Sequence, residues 1–134
     1  MLGLLIVSHS EDAARGIAQI AAGMAAGGGV EISGVGGNDD GGLGVSVVKT
    51  HDALSLLLQK TEGVLIFPDL GSSVLSSRSA LEMLPPEEAA KVVIVDAPIL
   101  EGAMLAAVEA SCNAPIEQVI EAAEEARNLK KIDR

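Results

Sequence analysis

The sequence has almost no aromatic side chains: one phenylalanine, Phe67, and no tyrosine or tryptophan among 134 residues. Stacking on nucleobases or sugar rings therefore has almost nothing to work with. Positive charge is also scarce, with 9 Lys and Arg against 19 Asp and Glu and a formal net charge of −10. That balance opposes binding to nucleic acid or an anionic lipid surface and favours a basic protein partner. A single cysteine, Cys112, excludes an intramolecular disulfide and fits a reducing compartment. No apolar run reaches the ~18 residues of a spanning helix, and the amino terminus lacks a basic segment. The expectation is one cytoplasmic domain over 1–134, with no membrane insertion.

What is present is alternation. Apolar runs rich in Val, Ile and Leu, at 2–7, 30–35, 63–68 and 91–95, alternate with helical patterns. The helices are predicted at 11–26, 46–60, 72–84, 101–112 and 115–130. The first carries Ala13, Ile17, Ile20, Ala21 and Met24 as its apolar stripe, and the last Ile116, Val119, Ile120, Ala123 and Ala126. This order predicts an α/β, doubly wound, three-layer fold with a mainly parallel sheet of four to five strands. With strand order 2-1-3-4, the first and third strands meet where the winding reverses, and their carboxyl ends form the crevice.

Two segments meet there. The first strand ends in Ser8-His9-Ser10, and the third in Asp69-Leu70-Gly71-Ser72-Ser73, which also opens a helix. A strand-end histidine alone is more often a packed residue, and Asp69 alone a turn or cap. Together they supply the parts of phosphoryl transfer to histidine. His9 is the nucleophile, and Asp69 fixes its tautomer and steadies the cationic ring. Backbone N–H groups at Gly71, Ser72 and Ser73, with Ser10 across the crevice, are candidate phosphate ligands. The hydroxyl of Ser72 also suits a helix N-cap.

Other features read as structural. His51 lies among Val47, Leu54 and Leu58 at helical spacing and reads as a packed or interface histidine. Cys112 has no basic or histidine neighbour in sequence and reads as an inert thiol. Two histidines and one cysteine, far apart, do not point to a metal site. The glycine-rich loop from Gly36 to Gly44 has no Gly-Lys-Ser/Thr and no G-x-G-x-x-G, so it is an active-site rim or a plain surface loop. A receiver domain would need acids ending its first strand, where Ser8-His9 stand.

Four segments in register carry a resemblance over nearly the whole chain. They are Val7-Ser8-His9-Ser10, Gly36-Gly37 through Gly44-Val45-Ser46, Phe67-Pro68-Asp69-Leu70-Gly71-Ser72-Ser73, and Ala97-Pro98-Ile99-Leu100-Glu101-Gly102-Ala103. They resemble the mannose-type IIA domains of the bacterial sugar phosphotransferase system, above all the branch serving phosphoenolpyruvate-dependent dihydroxyacetone kinase. The resemblance implies a homodimeric, flavodoxin-like domain with His9 as phosphohistidine, Asp69 as orienting acid, and a phosphate-binding turn at Gly71 and Ser72.

In that branch the histidine takes phosphate from the histidine phosphocarrier protein. It then passes the group to ADP on the nucleotide-binding kinase subunit, so ADP and magnesium are expected on the partner and no cofactor on this chain. Gly36, Gly37, Ser46 and Glu101 fall where a rim would contact the incoming group. Val45 departs from the branch, which commonly has a threonine there; Ser46 is the nearest hydroxyl that could substitute. Two alternatives remain open: transfer to a mannose-family sugar permease, and a non-catalytic dimeric regulatory module.

Overall fold

Leu2–Ser8 forms the first strand, β1, and every residue in it is buried. Such a segment needs pairing on both edges and cover on both faces, which makes it a central strand. The computed structural model describes residues 1–25 and 27–134 and places it there. The other strands are β2 (Val30–Gly36), β3 (Gly63–Pro68) and β4 (Val92–Ile94). All pairings are parallel, in the order β2-β1-β3-β4. The register sets Ser8 against Gly36 on one side and Val7 against Pro68 on the other.

Six α-helices lie among the described residues: α1 (Glu11–Met24), α2 (Val47–Lys60), α3 (Gly71–Glu82), α4 (Pro86–Ala89), α5 (Ile99–Ser111) and α6 (Ile116–Glu125). A 3-10 turn, Ala126–Asn128, follows the last helix. Alternating strand residues separate two cores. Leu4, Ile6, Leu65 and Phe67 pack with residues of α1, α5 and α6, whereas Leu5, Val7, Val64 and Ile66 face α2 and α3. The winding reverses between β1 and β3, so their carboxyl ends open a crevice. No described helix is long and apolar enough to cross a membrane.

Most predicted elements stand within a few residues of their expected bounds, and β3 is the segment expected. The sequence pattern missed α4, a single turn after Pro85. The predicted end of the first helix, Ala26, lies outside the described residues. Its predicted stripe is corrected: α1 buries Ala14, Ala18 and Ala21, while Ile20 and Met24 stay about half exposed. The cause is a close approach of helix to sheet. A Cβ on Gly34 of β2 would come within 2.5 Å of the Ala14 carbonyl oxygen. At that separation alanines pack directly beneath the helix; of the predicted stripe Ala21 is buried and Ile17 packs against the core from the side. The stripe predicted for the last helix stands, with Val119 and Ala123 buried in α6 and Ala126 in the 3-10 turn, but the α-helix ends at Glu125, short of the predicted Lys130.

Candidate active site

The crevice is built from two strand ends. Asp69 continues the pairing of β3 with β1 through its N–H, which donates to the Val7 carbonyl at 3.0 Å. That bond carries the Asp69 side chain beneath the next turn of β1. There the carboxylate Oδ2 accepts the His9 main-chain N–H at 2.9 Å and the Ser8 hydroxyl at 3.0 Å. The His9 ring nitrogen Nδ1 lies 3.1 Å from Asp69 Oδ1. The Ser73 hydroxyl donates to the same oxygen from the first turn of α3.

These contacts govern the charge on the acid. Burial pushes the Asp69 pKa upward, but hydrogen bonds from the Ser73 hydroxyl, the His9 main chain, the His9 ring and Ser8 outweigh it. The net effect lowers the carboxyl from 3.8 to about 2. A carboxylate ionised at every physiological pH accepts from Nδ1, which makes Nδ1 the protonated nitrogen of the neutral ring. The lone pair then sits on Nε2. Nε2 lies 2.8 Å from the Ser72 hydroxyl, which is its donor in that tautomer. The imidazole is 30% exposed, open enough for a partner to reach it.

The amino terminus of α3 completes the site. The N–H groups of Ser73 and Val74 already bond to the Leu70 carbonyl, at 3.0 and 3.3 Å. Gly71 and Ser72 keep N–H groups outside the helix ladder, with the positive end of the helix dipole behind them. This corner can hold an anion beside Nε2.

The predicted site residues divide into three groups. His9, Asp69, Ser72 and Ser73 come together, and Gly71 adjoins them. Ser73 supports Asp69: its N–H donates to the Leu70 carbonyl, and its hydroxyl donates to the acid and lies 3.3 Å from His9 Nδ1. The N-cap of α3 is Leu70, so Ser72 does not cap the helix and its hydroxyl faces the ring instead.

Ser10 caps α1, accepting from Ala13 N–H at 3.2 Å. Ser46 likewise caps α2, accepting from Lys49 N–H at 3.1 Å, and donates to Asp39. Its hydroxyl is thus engaged by the helix cap and by Asp39. Gly36 sits under the active turn: a Cβ there would meet the Ser8 and Ser10 carbonyl oxygens at 2.6 and 2.7 Å. Gly37 bridges to Val45. Glu101 faces Lys131, 3.6 Å away. His51 is partly buried beside Asp52, and Cys112 is exposed at the end of α5.

Sequence reasoning placed Ser8 in the crevice but gave it no role. It is buried, donates to Asp69 and accepts the Ser10 N–H at 3.1 Å, tying the turn to the acid. Its signal was there to read: a hydroxyl at the end of a wholly apolar strand needs a polar partner nearby.

A doubly wound sheet with a histidine–aspartate pair at its switch point makes this a small α/β domain with an oriented, nucleophilic imidazole. Comparison with known proteins narrows this. The chain belongs to the family described as the PTS system fructose IIA component, whose model matches residues 3–120. A relative from Listeria innocua, the phosphoryl donor subunit DhaM of PEP-dependent dihydroxyacetone kinase 2, is 36% identical over 90% of this chain and 95% of its own length. The DhaM subunit of Escherichia coli K12 is 38% identical over 90% of this chain. That of Klebsiella michiganensis is 34% identical over 98%. The chain spans only 26% and 28% of these two longer proteins. The crystal structure of the unknown function protein EF1359 matches with a TM-score of 0.86 and 35% identity, over 98% of both chains.

Proposed function

We propose that this chain is a phosphoryl donor subunit of a dihydroxyacetone kinase system, carrying the group on Nε2 of His9. The observation that carries the reading is the fixed imidazole. Asp69 takes Nδ1, and Nε2 faces the Ser72 hydroxyl at the amino terminus of α3. The names of the relatives support the dihydroxyacetone kinase branch.

In the first step the Nε2 lone pair attacks phosphorus on the phosphohistidine of the histidine phosphocarrier protein. The N–P bond to Nε2 forms as the bond to the donor ring breaks, and the Nδ1 proton stays with His9. The ring becomes cationic as the donor ring becomes neutral, and the Asp69 carboxylate offsets the new charge. The phosphoryl oxygens fall to the Ser72 hydroxyl and the N–H groups of Gly71 and Ser72, which are fixed before transfer begins. In the second step a terminal phosphate oxygen of ADP, held with magnesium on the nucleotide-binding kinase subunit, attacks phosphorus. The Nε2–P bond breaks, ATP leaves with the partner, and neutral His9 is restored.

The test is a relay measured by intact mass. The chain is incubated with phosphoenolpyruvate and the two general phosphotransferase proteins, then mixed with the ADP-loaded kinase subunit. An acid-labile gain of one phosphoryl group (about 80 Da for the group transferred) that disappears on mixing supports the reading. A gain that only a mannose-family permease domain discharges would move the chain to that branch. No gain at all would leave a regulatory module.

A further inference from the structure

The loop after β2 is built rather than slack, and one side chain builds it. Asn38 Oδ1 accepts the N–H groups of Asp40 and Gly42, at 2.9 and 2.8 Å. Its amide Nδ2 donates to the Leu43 carbonyl at 3.3 Å. The main chain of the same residue closes the loop again: its N–H donates to the Gly42 carbonyl at 2.9 Å, and its carbonyl accepts the Gly41 N–H at 3.1 Å. Lys49 of α2 donates its Nζ to that carbonyl at 2.8 Å, fastening the loop to the helix.

The far end of this loop touches the nucleophile. Gly44 N–H donates to the main-chain carbonyl of His9 at 2.8 Å. On its other side, the His9 main-chain N–H donates to Asp69. The backbone of residue 9 is therefore gripped from both flanks, by the acid and by the loop. Asn38 supplies the side-chain hydrogen bonds that fold residues 38–43 back on themselves, while Asp39 ties the loop to Ser46 and Gly37 bridges to Val45 beside Gly44.

We propose that Asn38 is a positioning residue for phosphoryl transfer: it shapes 38–44 into a clamp that holds His9 through Gly44. This rests on the reading of His9 as the phosphoryl carrier. A nucleophile held in a near-attack geometry gains much of its rate from placement, and small displacements at such a site lower the rate steeply. Asn38 touches neither the ring nor the phosphoryl group, so its effect appears in the rate of transfer rather than in partner affinity.

The experiment measures single-turnover phosphorylation of the full chain by the phosphorylated histidine phosphocarrier protein over a range of carrier concentrations. Asn38→Ala is expected to lower the maximal rate about tenfold or more, with the half-saturating concentration changed by less than about twofold. Asn38→Asp keeps the acceptor for Asp40 and Gly42 but loses the donor to the Leu43 carbonyl, and is expected to recover part of the rate lost in Asn38→Ala. Asn38→Ser, with a shorter acceptor, should fall between them. Hydrogen exchange at the Gly44 amide on the same samples reads the clamp directly and should speed up in Asn38→Ala.

A wild-type rate in Asn38→Ala, or an Asn38→Asp variant as slow as Asn38→Ala, overturns the inference. So does a loss confined to the half-saturating concentration, which would make Asn38 a docking contact. If the wild type itself takes no phosphate, the reading of His9 as carrier fails and the clamp fails with it. A labelled wild type with an indifferent Asn38→Ala sinks the clamp alone.

Discussion

Asp69 holds His9 twice: its Oδ2 accepts the histidine main-chain N–H at 2.9 Å, and its Oδ1 lies 3.1 Å from the ring nitrogen Nδ1. One carboxylate therefore fixes both the position of the residue and the tautomer of its ring. Two residues sixty positions apart become a single unit because β1 and β3 are neighbours in the sheet.

Replacing that carboxylate separates its two tasks. Asp69→Asn keeps one oxygen to accept a hydrogen bond but offers an N–H where the other oxygen was, and it cannot offset a cationic ring. Transfer to His9 is expected to fall by about 10²-fold or more. A rate of phosphorylation by the carrier within a few-fold of wild type would refute the role given to Asp69.

The same acid makes a prediction for stability. Its folded pKa, about 2, lies below the ordinary 3.8, so its contribution is complete only above about pH 5. It is lost as pH falls toward 2, because protonation then opposes the hydrogen bonds that favour the carboxylate. Urea melts should show the wild type losing on the order of 2 kcal/mol across that window through this group. The corresponding part of the acid loss should be missing from Asp69→Asn.

Ser72 and Ser73 are adjacent but differ in what they touch. Ser72 faces Nε2 and, on the account given, the phosphoryl group; Ser73 faces Asp69. Ser72→Ala should slow transfer by about tenfold to a hundredfold while leaving the acid titration of Asp69 in place. Ser73→Ala should move that titration upward, because the strongest of its lowering contacts is removed. Carboxyl chemical shifts followed by NMR through pH 5 to 1.5 would distinguish the two, and a rise of the Asp69 pKa in Ser72→Ala alone would reverse the assignment.

Gly36→Ala tests how the active turn is packed. The added methyl would lie 2.6 Å from the Ser8 carbonyl oxygen, and a main chain cannot swing aside as a side chain can. A loss of about 1–3 kcal/mol is expected in chemical denaturation, with slower phosphorylation because the Ser8–Ser10 turn must shift. Unchanged stability would mean that β2 and this turn are less closely apposed.

The parts of this architecture written in local pattern were readable in advance. Apolar runs gave β1 and β3 nearly to the residue, and their ends brought His9 and Asp69 to one crevice once the strand order was assumed. The division of labour among hydroxyls was not readable. Ser10 was expected at the phosphate and Ser46 at the rim, whereas both cap helices, and only the direction of each side chain shows it. The stripe expected for α1 holds at Ala21 and in part at Ile17 but not at Ile20 and Met24, because the close approach at Gly34 favours alanine directly beneath the helix. Asn38 was invisible for a related reason. Its contacts exist only after the loop has closed, and in sequence it is one polar residue among glycines and acids.

The most direct measurement is the intact mass of the wild type and His9→Ala after incubation with phosphoenolpyruvate and the two general phosphotransferase proteins. The account predicts one acid-labile phosphoryl group on the wild type and none on His9→Ala, with both proteins folded by circular dichroism. Stoichiometric labelling of His9→Ala would place the phosphoryl group elsewhere and contradict the account at its centre.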